Sequence, residues 1–119
     1  MPIPNDYSGI IRALAVKTSE GNVIWRHEKF GTLDVAFGGS VFSIWAGTDE
    51  DSDAPFVGFS LKEEGSRSTM DNWYVSEPDE DLDEMQLLYK AAKRIADGVP
   101  SKLKELERLM VAAPVVGKP

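Results

Sequence analysis

An α+β fold is what this 119-residue sequence predicts. The expected arrangement is an N-terminal helix, a four-stranded antiparallel sheet in a meander, and two C-terminal helices packed on one face. Three observations predict it. The stretch from Asp79 to Gly98, DEDLDEMQLLYKAAKRIADG, carries Leu82, Met85, Leu88, Tyr89, Ala92, Ile95 and Ala96 at steps of three and four, which is one apolar stripe on a helix. Upstream, between residues 23 and 75, the apolar period changes to two. Glycine and polar clusters separate those alternating runs, as turns do between strands.

Asn5 or Asp6 is placed to cap the first helix, with Tyr7, Ile10, Ile11, Leu14 and Val16 on its inner side. Gly9 weakens it, and Ala13 to Val16 could equally begin a strand; a helix is expected. Glu20-Gly21-Asn22 is a stop and turn signal. VIWRHEKF then alternates, with Val23, Trp25, His27 and Lys29 on one side and Ile24, Arg26, Glu28 and Phe30 on the other. After Gly31, TLDVAF puts Leu33, Val35 and Phe37 on one face and Asp34 on the other, as in a half-buried antiparallel strand. Gly38-Gly39 is a two-residue hairpin signal, and VFSIWAG, apolar on both faces, is its partner and a central strand. TDEDSDAP is a polar loop. PFVGFSLKEE resumes alternation with Val57, Phe59 and Leu61 in phase, and Gly58 marks a bulge or a close packing contact. Gly65 to Thr69 is a turn, and MDNWYV is a last short strand.

Ser76 with Asp79 resembles a capping box for the long helix, although Asp79 itself could be the cap. Acids crowd its first turn and Lys90, Lys93 and Arg94 sit late, so both ends suit the helix dipole. Gly98 supplies a left-handed stop. Pro100 pushes Val99 out of helical geometry, yet proline is welcome at the start of a new helix. SKLKELERLM repeats the stripe with Leu103, Leu106 and Met110. Two helices with a corner at Gly98–Pro100 are expected; the competing view is one kinked helix, because the spacing carries through Val99. One domain spans residues 1–113, and 114–119 form a frayed tail.

Composition narrows the function. With 42% hydrophobic and 28% charged residues the chain falls in the soluble globular range, and no apolar run approaches the ~20 residues of a membrane span. MPIPNDYSG lacks the basic and apolar regions of a signal peptide, so a cytoplasmic location is expected. The absence of cysteine excludes disulfides, thiolate metal sites and a cysteine nucleophile. The net charge of −7 is uneven. Residues 1–48 hold four acids and four bases, 49–84 thirteen acids and two bases, and 85–119 three acids and seven bases. An acidic middle argues against sequence-independent binding to duplex DNA, which needs a positive face.

The helix-to-strand junction TSEGNVIW, with Thr18, Gly21, Val23 or Ile24, and Trp25, together with the helix LLYKAAKRIADGV, resembles a group of small bacterial proteins. Those pair a T-x-x-G-x-I-x-W junction with an L-Y-x-x-A-x-R-like C-terminal helix. The likeness spans roughly Ile10 to Met110, and Pro100 departs from the acidic capping residue expected there. The group has no established activity, so the resemblance implies an α-β-α domain and carries over no catalytic residue.

Candidate sites are sparse. DEDSD, with Asp49, Asp51 and Asp53, copies the first half of an EF-hand loop, but Ala54 and Ser60 stand where its glycine and glutamate belong. No metal or cofactor is implied. His27 is the sole histidine and Glu28 points to the opposite face, which removes the simplest catalytic dyad. Gly38–Ser40 is no phosphate loop, since a strand follows it. The binding candidates are Trp25, His27, Trp45, Arg67 and Trp73: aromatic side chains enriched in pockets and interfaces, one histidine, and one arginine among hydroxyls. The expected function is non-enzymatic binding as an accessory or regulatory module, through a protein partner or self-association. The basic last helix and acidic middle give pairing an electrostatic rationale. The alternative is a small carboxylate enzyme drawing on Glu28, Asp34, Asp71 and Arg67. A further one is an acidic nucleic-acid mimic, which needs the acids of 49–53 and 77–84 on one surface.

Overall fold

Residues 2–118 are described by a computed structural model. Tyr7 closes a 3-10 turn over Asn5–Tyr7, and helix α1 follows over Ser8–Ser19. Neither Asn5 nor Asp6 caps it with a side chain; the turn closes instead through the Tyr7 N–H, which donates to the Pro4 carbonyl at 2.9 Å. The inward side is narrower than the pattern suggests. Tyr7, Ile11 and Thr18 are buried, whereas Ile10 and Val16 are 38% and 52% exposed. The Trp25 indole N–H donates to the buried Thr18 hydroxyl at 3.0 Å, which joins the end of α1 to the chain entering the sheet.

The sheet has five strands rather than four. They are β1 (Arg26–His27), β2 (Leu33–Phe37), β3 (Ser40–Thr48), β4 (Pro55–Glu63) and β5 (Thr69–Ser76). Each pairs antiparallel with its chain neighbour. Of the alternating run VIWRHEKF only the two residues of β1 pair. Its pairing stops after His27 because Phe30 turns into the left-handed region (φ 59°), with Gly31 behind it at φ 74°. Gly38 and Gly39, at φ 62° and 78°, form the two-residue hairpin between β2 and β3, whose paired positive φ angles match the strand twist. The irregularity between β4 and β5 falls at Leu61/Lys62 and not at Gly58.

Helix α2 (Asp81–Ala96) crosses one face of this sheet and buries Leu82, Met85, Leu88 and Ala92. Asp79 acts as its cap, accepting the Asp81 N–H at 2.9 Å. Asp81 in turn accepts the Ile3 N–H at 2.8 Å and so pins the N-terminal segment. Beneath α2 the core runs through Leu33, Ile44, Val57, Phe59 and Val75. The Trp73 ring stacks on Phe59 (5.2 Å, 25°), and Tyr7 meets both edge-on at 5.4 and 5.9 Å.

Gly98, at φ 75°, turns a corner, and α3 (Val99–Ala112) leaves in a new direction. No residue of α3 is buried. The molecule measures 53 × 36 × 25 Å with a radius of gyration of 17.1 Å, against about 13.5 Å for a compact chain of this length. The projecting α3 accounts for that excess. No helix among the described residues is long and apolar enough to cross a membrane.

Candidate functional site

Alternation along each strand divides the sheet residues between two faces. Phe42, Ile44, Val57, Phe59, Trp73 and Val75 face the helices, so their neighbours Trp45, Phe56, Gly58 and Tyr74 face the other way. That outer face has no helix over it. Two cross-strand pairs shape it: Trp45 lies opposite Gly58, and Phe56 opposite Gly47. Each ring occupies the space where its glycine's Cβ would stand. A Cβ at Gly58 would overlap the Trp45 indole, and one at Gly47 would come within 2.8 Å of Phe56 Cζ. Glycine is required at both positions for contact, since neither has a positive φ. Tyr74, also opposite Gly58, meets Phe56 edge-on at 6.2 Å and 72°.

These three rings wall a groove of about 450 Å³ that runs to the end of the sheet. There the β3–β4 loop and the connection from β5 to α2 meet, and Asp49 and Glu77 complete its lining. The two acidic runs of the sequence therefore converge at one end of the molecule. Asp49 is held in place by its own loop: its carboxylate accepts the N–H groups of Asp51 and Ser52 at 2.8 and 3.1 Å. Those bonds hold its carboxyl below the usual carboxylate range, so it carries charge at neutral pH. The loop shows no metal geometry, and among the described residues no cluster of three or more His, Asp or Glu side chains is arranged to hold an ion.

A larger groove, about 720 Å³, opens between α1 and the β2 end of the helix-covered face. Ile10 and Leu14 form one wall, Val35, Phe37 and Phe42 the other, and Lys17 is the charged residue in its lining.

The five binding candidates do not come together. Trp25 and Trp73 are core residues, 3% and 6% exposed; Trp73 adds to the wall of the aromatic groove, but its ring packs inward on Phe59. Trp45 is the tryptophan left on the outer face. His27 bonds to Asp97 at 2.6 Å, and Lys93 donates to the same carboxylate at 2.8 Å. Lys93 and then His27 hold the Asp97 carboxyl below its usual range, and the trio ties β1 to the end of α2. Arg67 stands in the exposed β4–β5 turn. Nor do the carboxylates converge. Asp34 accepts the Ser43 hydroxyl at 2.7 Å, Asp71 accepts the Tyr7 hydroxyl at 3.0 Å, and Glu28 accepts the N–H of Lys29. Neither groove is lined by Glu28, Asp34, Arg67 or Asp71.

Sequence reasoning missed Phe56, Tyr74, Asp49 and Glu77 as neighbours of Trp45. The signal was the glycine partnered with an aromatic across β3 and β4, readable only once the register of that hairpin is known. Comparison with protein-family models, with curated proteins and with solved structures finds no match.

Proposed function

We propose that this chain is a non-enzymatic protein-interaction module whose uncovered sheet face receives a basic segment of a partner protein. One observation carries the reading: Trp45 and Phe56 fill the space over glycines on the uncovered face, beside Tyr74, with Asp49 and Glu77 at the end of the groove they form. Half-buried rings fixed in this way, with the exposed Tyr74 beside them, offer π faces to a lysine or arginine, an attraction worth about 0.5–2 kcal/mol each. The carboxylates at the end attract the same cations and repel acidic segments. A peptide of alternating apolar and basic residues fits both halves of the groove.

Selection of short random peptides on the immobilised full chain tests this. Enrichment of lysine and arginine beside apolar residues is expected, with binding lost in Trp45→Ala and weakened in Glu77→Gln. Peptides selected without a basic bias, or bound equally well by Trp45→Ala, would overturn it. The convergence of the two acidic runs favours a second reading, an acidic surface that occupies the DNA-binding groove of a partner. In that case duplex DNA competes with the chain for the partner and the Trp45→Ala variant competes as well as wild type.

A further inference from the structure

Helix α3 carries Leu103, Leu106 and Met110 in one row, 53%, 37% and 51% exposed, with Leu109 beside it at 47%. Such a row on a 14-residue helix normally marks a buried face. The groove between α1 and β2 presents the converse surface, an apolar trough whose wall residue Phe37 is 79% exposed, with Ile24 in the same lining at 72%. We propose that these two surfaces cover each other between two copies of the chain: α3 of each copy seats its leucine row in the α1–β2 groove of the other.

Charge places the helix in that groove. Lys17 is the charged residue of the lining. On α3, Glu105 and Glu107 flank Leu106, each about 100° around the helix from it, so carboxylates border the apolar row on both sides. Lys104 and Arg108 fall on the far side of the helix by the same spacing and stay in water. Lys102, four residues before Leu106, lies on the row's own side; its charge is met by Glu105 at 3.5 Å, and Glu107 remains for the partner's lysine. Reciprocal seating closes a two-fold dimer and leaves no free end for further growth. Each helix face is about 21 Å by 10 Å. Two of them, counted on both partners, bury about 800 Å², below the ~1,200 Å² of a stable specific interface and in the range of weak, transient contacts. A weak, concentration-dependent dimer, populated at high micromolar concentration, is therefore expected. Neither Trp45 nor the acidic end of the sheet takes part, so this pairing stands or falls apart from the peptide-binding reading.

Sedimentation equilibrium of the full chain from low to high micromolar concentration tests the proposal, with two variants at exposed positions, Leu106→Asp on the helix and Phe37→Asp in the groove. Wild type is expected to dimerise, and each variant to raise the dissociation constant about tenfold or more, the effect of losing one buried leucine or phenylalanine. An equimolar mixture of the two variants retains one intact helix and one intact groove, so it is expected to associate more strongly than either alone. Circular dichroism identifies any variant that fails to fold, in which case Leu103→Asp or Ile24→Asp replaces it. A wild type that stays monomeric at high micromolar concentration overturns the proposal. So does a dimer that Leu106→Asp weakens and Phe37→Asp leaves intact, which would mean that the helices pair with each other.

Discussion

Tyr7 is the residue where packing and ionisation are most tightly joined. Its ring fills the corner between Phe59 and Trp73, and its hydroxyl donates to Asp71. Burial first, and then the Asp71 bond and charge, raise its pKa from 10.0 to about 12. A phenol whose folded pKa is raised lends stability that is complete below the unfolded value and is lost as pH climbs through the folded one. Wild type should therefore lose stability between about pH 10 and pH 12 in excess of Tyr7→Phe, as read by urea titration at each pH. Parallel pH profiles would refute it. At neutral pH the same substitution costs about 1 kcal/mol, the worth of one hydrogen bond. The neighbouring Trp73 Nε1 is buried without a hydrogen-bond partner among the described residues. On the outer face, Gly58→Ala drives a methyl group into the Trp45 ring. Either the ring lifts or the strands part, at about 1–3 kcal/mol. Because the ring is displaced from its place over Gly58, peptide binding should fall with stability. Unchanged binding in a folded Gly58→Ala chain would detach the site from this glycine.

Two helices with similar stripes behave differently. Met85 of α2 is fully buried, so Met85→Ala should cost about 2–5 kcal/mol in denaturant titration. Leu106→Ala on α3, measured at low micromolar concentration, should cost about 0.5 kcal/mol or less, since no residue of α3 is buried in its own chain. Equal costs would mean that α3 folds back onto its own body. The contrast also shows how far the sequence could be read. Period, stop signals and hairpin glycines are local, and so the extent of α2, the Gly38-Gly39 turn and the Gly98 corner were legible. Which surface a stripe covers is a non-local fact, and Leu103, Leu106 and Met110 read the same whether covered or bare. The shortening of β1 was hidden for a related reason. Phe30 takes a left-handed conformation that favours glycine, and an alternating pattern runs through it without a mark. At the candidate site, Trp45 was visible as a residue; its platform depends on the register that sets it over Gly58.

At the scale of the whole molecule, the buried core draws on residues from Ile3 to Ala92, and helix α3 projects from it. The stability of the body and the presence of α3 are then separable. A chain ending at Gly98 keeps each core side chain, the Asp79 cap, and the His27–Asp97–Lys93 contacts that fasten β1 to the end of α2. Its free energy of unfolding at low micromolar concentration should match that of the full chain within about 1 kcal/mol. Its urea m-value should also fall little, because m follows the surface exposed on unfolding and α3 contributes little of that. The radius of gyration should drop from 17.1 Å to about 13 Å, the value for a compact chain of that length. At high concentration the truncated chain should remain monomeric while the full chain associates. Small-angle scattering over a concentration series reads size and association in one experiment. A truncated chain that unfolds, or that dimerises as the full chain does, would make α3 part of the folded body and move any self-contact elsewhere.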